Sequence, residues 1–130
     1  MNTTRSRASS GSPFERSVGF ARAVRVGQHV AISGTAPIGA DGRVSKDPGE
    51  QARRCWEIAL GALAELGGRP DDVIRTRHYL TDLDAVDAVS AVHGEVFGDI
   101  RPASTMLVVA ALLDPRWLVE IEVDAILPEG

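Results

Sequence analysis

Apolar positions along the chain change period several times, and each change marks an element. Residues 118–126, LVEIEVDAI, alternate: Val119, Ile121, Val123 and Ala125 are interleaved with Glu120, Glu122 and Asp124. Side chains of a strand point to opposite faces in turn, so this segment predicts a strand with one apolar and one acidic face. Runs 21–26 and 29–33 are β-prone, and Gly27-Gln28 between them predicts a tight hairpin. PIGADGRV reads as a loop around the Asp41-Gly42 turn signal. The period then becomes helical. Asp47 is a good N-cap, Pro48 suits the first helical position, and Glu50 completes a capping-box spacing. Ala52, Cys55, Ile58, Ala59, Ala62, Leu63 and Leu66 form one buried stripe, which Gly67-Gly68 ends. Residues 72–80 predict a strand, Asp84 to Phe97 a second helix with Val86, Val89, Val92, Val96 and Phe97 inward, and 105–113 a nearly continuous apolar strand. Asp114-Pro115-Arg116 turns the chain into the final strand.

The predicted order is β-β-α-β-α-β-β. Several strands with only two helices point to a two-layer α+β domain, both helices on one face of a mixed sheet. The last two strands carry more apolar surface than two short helices cover, so a second copy of the chain is expected on the other face. Residues 1–12 are rich in Ser, Thr and Arg and are expected to form a flexible tail before a single domain, 13–130.

Composition removes several classes of function. With 130 residues there is room for one moderate core. No apolar run approaches the roughly 18 residues needed to cross a bilayer, and the N-terminus lacks the apolar stretch of a secretory signal, so no membrane partner is expected. The single cysteine, Cys55, excludes an internal disulfide and fits a cytoplasmic location. It lies in the buried stripe and reads as a small core residue rather than a reactive thiol. A net charge of −4 argues against nucleic acid as a partner. There is no phosphate-binding glycine loop and no GxSxG elbow. His29, His78 and His93 lack metal-ligand spacing, so neither a cofactor nor a metal is expected.

Five segments, VAISGTAPI, QARRCWEIALGALAELGG, DVIRTRHYLTDLDAV, RPASTMLVV and LVEIEVDAI, resemble in this order the RidA family, also called the YjgF/YER057c/UK114 family. The likeness runs over about residues 14–127. It implies a chorismate-mutase-like fold and a homotrimer with small-molecule clefts at the subunit interfaces. It also implies cofactor-free hydrolysis of reactive enamines and imines such as 2-aminoacrylate. In such deaminases an arginine after Pro-Ala grips the substrate carboxylate, and a glutamate on the last strand positions water.

At the first of these positions the chain departs from the pattern, because it reads Pro102-Ala103-Ser104. A hydroxyl offers one neutral donor where a guanidinium offers a charged fork, a loss of about 1.5–3 kcal/mol. Arg101 is expected on the opposite face of an extended chain, roughly 10 Å away, and is no substitute. By position, Glu120 is the catalytic candidate, while Glu122 and Asp124 are read as structural partners of Arg75 and Arg77. The resemblance also brings Phe20, Ser33, Gly34, Ser90, Ser104, Thr105 and Met106 to the substrate cleft. His93 shares a helix face with Ser90 and is either structural or an acid–base group. Two functions compete: hydrolysis of an imine, enamine or related carbonyl derivative through Glu120 and water, and a non-catalytic module that binds a small metabolite. Ribonuclease or translation-inhibitor activity, which travels with the family name, is disfavoured by the acidic charge.

Overall fold

The computed structural model describes residues 4–129. Its strands are β1 (Arg5–Ala8), β2 (Ala23–Val26), β3 (His29–Thr35), β4 (Val73–Leu80), β5 (Ala103–Val108) and β6 (Val119–Ile126). They form one sheet in the order β1-β2-β3-β6-β4-β5, with only the β4–β5 pair parallel. Helices α1 (Pro48–Glu65) and α2 (Val86–Phe97) pack on each other and on one face of the sheet. This is the expected two-layer α+β arrangement.

Local chemistry sets the boundaries. Gly27, at φ +61°, makes the two-residue turn that puts Val26 opposite His29. The Asp47 carboxylate accepts from the Glu50 amide at 2.9 Å and caps α1. The buried face of α1 is wider than the apolar stripe alone, since it includes Gln51 and Trp56. Trp56 meets Phe97 of α2 edge-on, with centroids 4.8 Å apart. Beneath them lie Val119, Ile121, Val123 and Ala125, so the apolar face of the alternating segment is the floor of the core. Among the described residues, no helix is long and apolar enough to cross a membrane.

Three expectations need correction. Part of the supposed tail is ordered: Arg5–Ala8 pairs with β2, Ala8 is buried, and its carbonyl accepts from the Arg22 amide at 3.0 Å. Backbone pairing plus one alanine holds this strand, so no apolar period announced it. Residues 1–3 of the expected tail lie outside the described residues. The apolar run 105–113 does not stay in the sheet either. β5 stops at Val108, Val109 donates its amide to the Leu80 carbonyl at 2.8 Å, and Leu113 is fully exposed. Finally, Arg101 is not on an extended strand. It follows α2 in the left-handed region at φ +55°, its amide bonded to the Phe97 carbonyl at 2.8 Å.

Candidate functional site

The strand alternation sends the nine candidate residues to two places. Glu120 projects from the helix-free face of β6, opposite Tyr79 of β4, and the acidic ladder continues there through Glu122 and Asp124. The expected partners are partly right. Arg77 pairs with Asp124 at 3.2 Å, but Glu122 accepts a short hydrogen bond from the Tyr79 hydroxyl rather than meeting an arginine. That bond holds the tyrosine pKa above its usual value. Glu120 has no such partner on its own ladder.

Its environment is made by β3. The pairing of β3 with β6 shifts register between Ile32 and Thr35, and Gly34 lies in that irregularity. A β-carbon at Gly34 would land on a carboxylate oxygen of Glu120, so the glycine is what lets the carboxylate lie against the backbone. Behind it sits Arg22, 9% exposed, whose Nη1 donates to the Gly34 carbonyl at 2.7 Å and to Thr35 Oγ1 at 3.0 Å. The guanidinium stacks 5.7 Å from the half-exposed Phe20 ring, and its Nε is buried without a partner. Burial raises the Glu120 pKa above the ordinary carboxylate value, the Arg22 charge offsets part of this, and Glu122 adds to the rise. Ser33, next to Gly34, donates its hydroxyl inward to the Ala21 carbonyl at 2.6 Å. Phe20, Ser33, Gly34 and Glu120 therefore form one group.

The second group lies at the β5 edge. Ser104 pairs with Thr76 of β4, and Thr76 faces the helices, so Ser104 opens on the opposite side of the sheet from Glu120. The Thr76 hydroxyl is hydrogen-bonded to that of Ser104 at 2.8 Å and to His93 Nε2 of α2 at 2.9 Å. The Ser90 hydroxyl approaches the Met106 sulfur at 3.9 Å. Ser90, His93, Ser104 and Met106 thus cluster, whereas Thr105 falls on the Glu120 side, beside Arg77. β4 separates Ser104 from Glu120, roughly 10 Å of sheet width in addition to the change of face. Within one chain no small ligand touches both groups.

Sequence reasoning missed two residues that matter here. Arg22 stands in a run that reads as an ordinary hairpin strand, where an arginine is expected to face water. His78 is buried beside His93 with ring centroids 5.1 Å apart, and burial lowers its pKa to about 4. Counting back by twos from buried Leu80 would have found it. The Cys55 thiol is buried in the core and its pKa is pushed up by burial. Among the described residues no cluster of three or more His, Cys, Asp or Glu could hold a metal ion.

A family model described as Endoribonuclease L-PSP matches residues 12–127. The crystal structure of a Mycobacterium tuberculosis member of the YjgF/YER057c/UK114 family superposes with a TM-score of 0.88 at 42% identity, covering 95% of this chain and 100% of that one. The chain belongs to this family. An uncharacterized protein of Streptomyces coelicolor is 44% identical over 120 residues, spanning 92% of this chain and 90% of its own. A RutC family protein of Pyrococcus abyssi is 32% identical over 109 residues, spanning 82% and 84%. For this Rid-family chain, the close approach of Glu120 to Gly34 gives a direct test. Gly34→Ala should displace the carboxylate and lower turnover roughly tenfold or more with little change in melting temperature. Full activity in that variant would mean the carboxylate is not used where it lies.

Proposed function

We propose that the protein hydrolyses a small imine, enamine or related carbonyl derivative in clefts formed between the copies of a homotrimer. The supporting observation is the half-buried Glu120 carboxylate, lodged against Gly34 in front of the Arg22 charge. In the proposed reaction water adds to the imine carbon while Glu120 takes its proton. The proton passes to nitrogen to give a carbinolamine, whose hydroxyl proton then follows to the same nitrogen; the carbon–nitrogen bond breaks, and ketone and ammonia leave. No cofactor is invoked. Ser104 in place of an arginine makes efficient 2-aminoacrylate hydrolysis doubtful and favours a substrate less dependent on a carboxylate clamp.

The two groups support this assembly. The Glu120 group of one copy and the Ser104 group of the next can line one cleft, which a lone chain cannot make. Sedimentation should therefore give a species of about three times the 13.8 kDa chain mass. A monodisperse monomer at micromolar concentration would sink both the trimer and the shared site. Imines generated in situ from assorted amino acids then test the chemistry, with ketoacid formation as the readout.

The second reading, a cleft that holds a metabolite without turning it over, draws on the missing arginine. It predicts saturable binding and no ketoacid. Ribonuclease activity, suggested by the name of the matching family model, is not favoured. The net charge of −4 disfavours a phosphate polymer. The lone buried Cys55 supports a cytoplasmic location.

A further inference from the structure

Ser104, Thr76 and His93 are joined in a continuous hydrogen-bonded chain across β5, β4 and α2, with links of 2.8 and 2.9 Å. Two hydroxyls can exchange donor and acceptor roles and the imidazole tautomer sets the other link, so the chain can run in two directions. Thr76 is fully buried, so water does not compete for its hydroxyl, and that hydroxyl has one proton. Suppose it goes to Ser104, 2.8 Å away. Thr76 can then meet His93 only as an acceptor, which requires the hydrogen of the neutral imidazole to be on Nε2. In that direction Ser104 accepts from Thr76 and its own hydrogen is left free on an exposed edge, whereas in the other Ser104 spends its hydrogen on Thr76.

The imidazole is fixed to make this link. Its ring lies 4.9 Å from Phe97, 5.9 Å from Trp56 and 5.1 Å from His78 by centroid, so packing on three sides sets its plane. Neither ring nitrogen of buried His78 bonds Thr76, so it does not compete for that hydroxyl. We infer that His93 and Thr76 are positioning residues that present the Ser104 hydroxyl as a hydrogen-bond donor to one acceptor oxygen of the ligand, an oxygen of a carboxylate, amide or ester beside the reacting carbon. The ligand side of this inference rests on the cleft proposed above. One donor makes one bond where a guanidinium makes two, so the subsite accepts a wider range of oxygen acceptors than a carboxylate clamp does.

The full chain labelled with 15N-histidine tests the direction without any substrate. His29, His78 and His93 give three ring patterns, and His93→Gln identifies the third. His93 should be the Nε2–H tautomer at neutral pH, and Thr76→Val should abolish that preference. A Nδ1–H tautomer in the wild type overturns the inference, because Thr76 must then donate to His93 and take the Ser104 proton. The kinetic arm uses the imine made from leucine by an amino acid oxidase. Thr76→Val and His93→Leu should raise KM roughly 3–10-fold with kcat within about twofold, as loss of one neutral hydrogen bond predicts. Thr76→Ser and His93→Gln, which keep a hydroxyl and a nitrogen donor, should restore KM. An unchanged KM in Thr76→Val also overturns the inference. A wild type inactive on this imine counts against the hydrolase reading, and the tautomer measurement then decides the relay alone.

Discussion

Glu120→Gln is expected to lower turnover by roughly 10²–10⁴, the range for removing a general acid–base group, while the protein stays as stable as the wild type at neutral pH. The two halves of that expectation have one cause. Burial holds the Glu120 pKa above its ordinary value of 4.5. An acid with a raised folded pKa contributes stability that is full below its unfolded pKa and is lost as pH rises through the folded pKa. Above the folded pKa ionised Glu120 therefore gives nothing to stability, and the uncharged glutamine forfeits nothing there. Activity has the opposite need, since only the carboxylate accepts a proton from water. The acid limb of kcat/KM should lie above 4.5, and Arg22→Gln should move it higher still by removing the cation that favours ionisation. Glu122→Gln should stay within a few-fold of wild type, because that carboxylate is occupied by Tyr79. Equal losses of activity and stability in Glu120→Gln and Glu122→Gln would make the acidic face a structural ladder and nothing more.

How much of this could be read in the sequence depended on whether an element declared itself through side chains. The alternation at 118–126 fixed both faces of β6, because period two leaves no other arrangement once one face is apolar. The caps Asp47 and Gly67 bounded α1 for the same local reason. β1 was illegible because its stabilisation is backbone pairing, and side-chain period says nothing about that. Arg22 was hidden because burying a guanidinium takes partners from elsewhere in the chain, here the carbonyl of Gly34 and the hydroxyl of Thr35. The separation of Ser104 from Glu120 needed the strand order. Motif positions show which residues matter to a family, but only the placement of β4 between β6 and β5 shows that one chain keeps the two groups apart.

Gln51→Leu should cost much of the stability of the fold, and it should reach the site through the backbone. Gln51 is wholly buried at the start of α1. Its amide nitrogen donates to the carbonyls of Ser45, at 2.6 Å, and Arg116, at 2.9 Å. Its side-chain oxygen accepts from the Leu118 amide at 2.7 Å. One side chain thus ties the loop before α1 and the turn before β6 to the helix. Leucine matches its size but supplies none of the three bonds. Water can reach the Ser45 and Arg116 carbonyls at the margin of the fold, so the expected loss is about 2–4 kcal/mol rather than the full sum of three buried orphans. For a domain of this size that corresponds to a melting temperature lower by roughly 10 °C. Glu57→Gln, on the exposed face of the same helix, should stay within about 0.5 kcal/mol. The functional consequence comes from position, because Leu118 directly precedes β6 and Glu120 is two residues further on. Freeing the Leu118 amide should speed its hydrogen exchange and loosen the strand end that aims the carboxylate at Gly34. Turnover should fall in Gln51→Leu even at temperatures where the protein is folded. A variant that melts early yet keeps wild-type turnover at 20 °C would show that β6 holds Glu120 in place without this anchor.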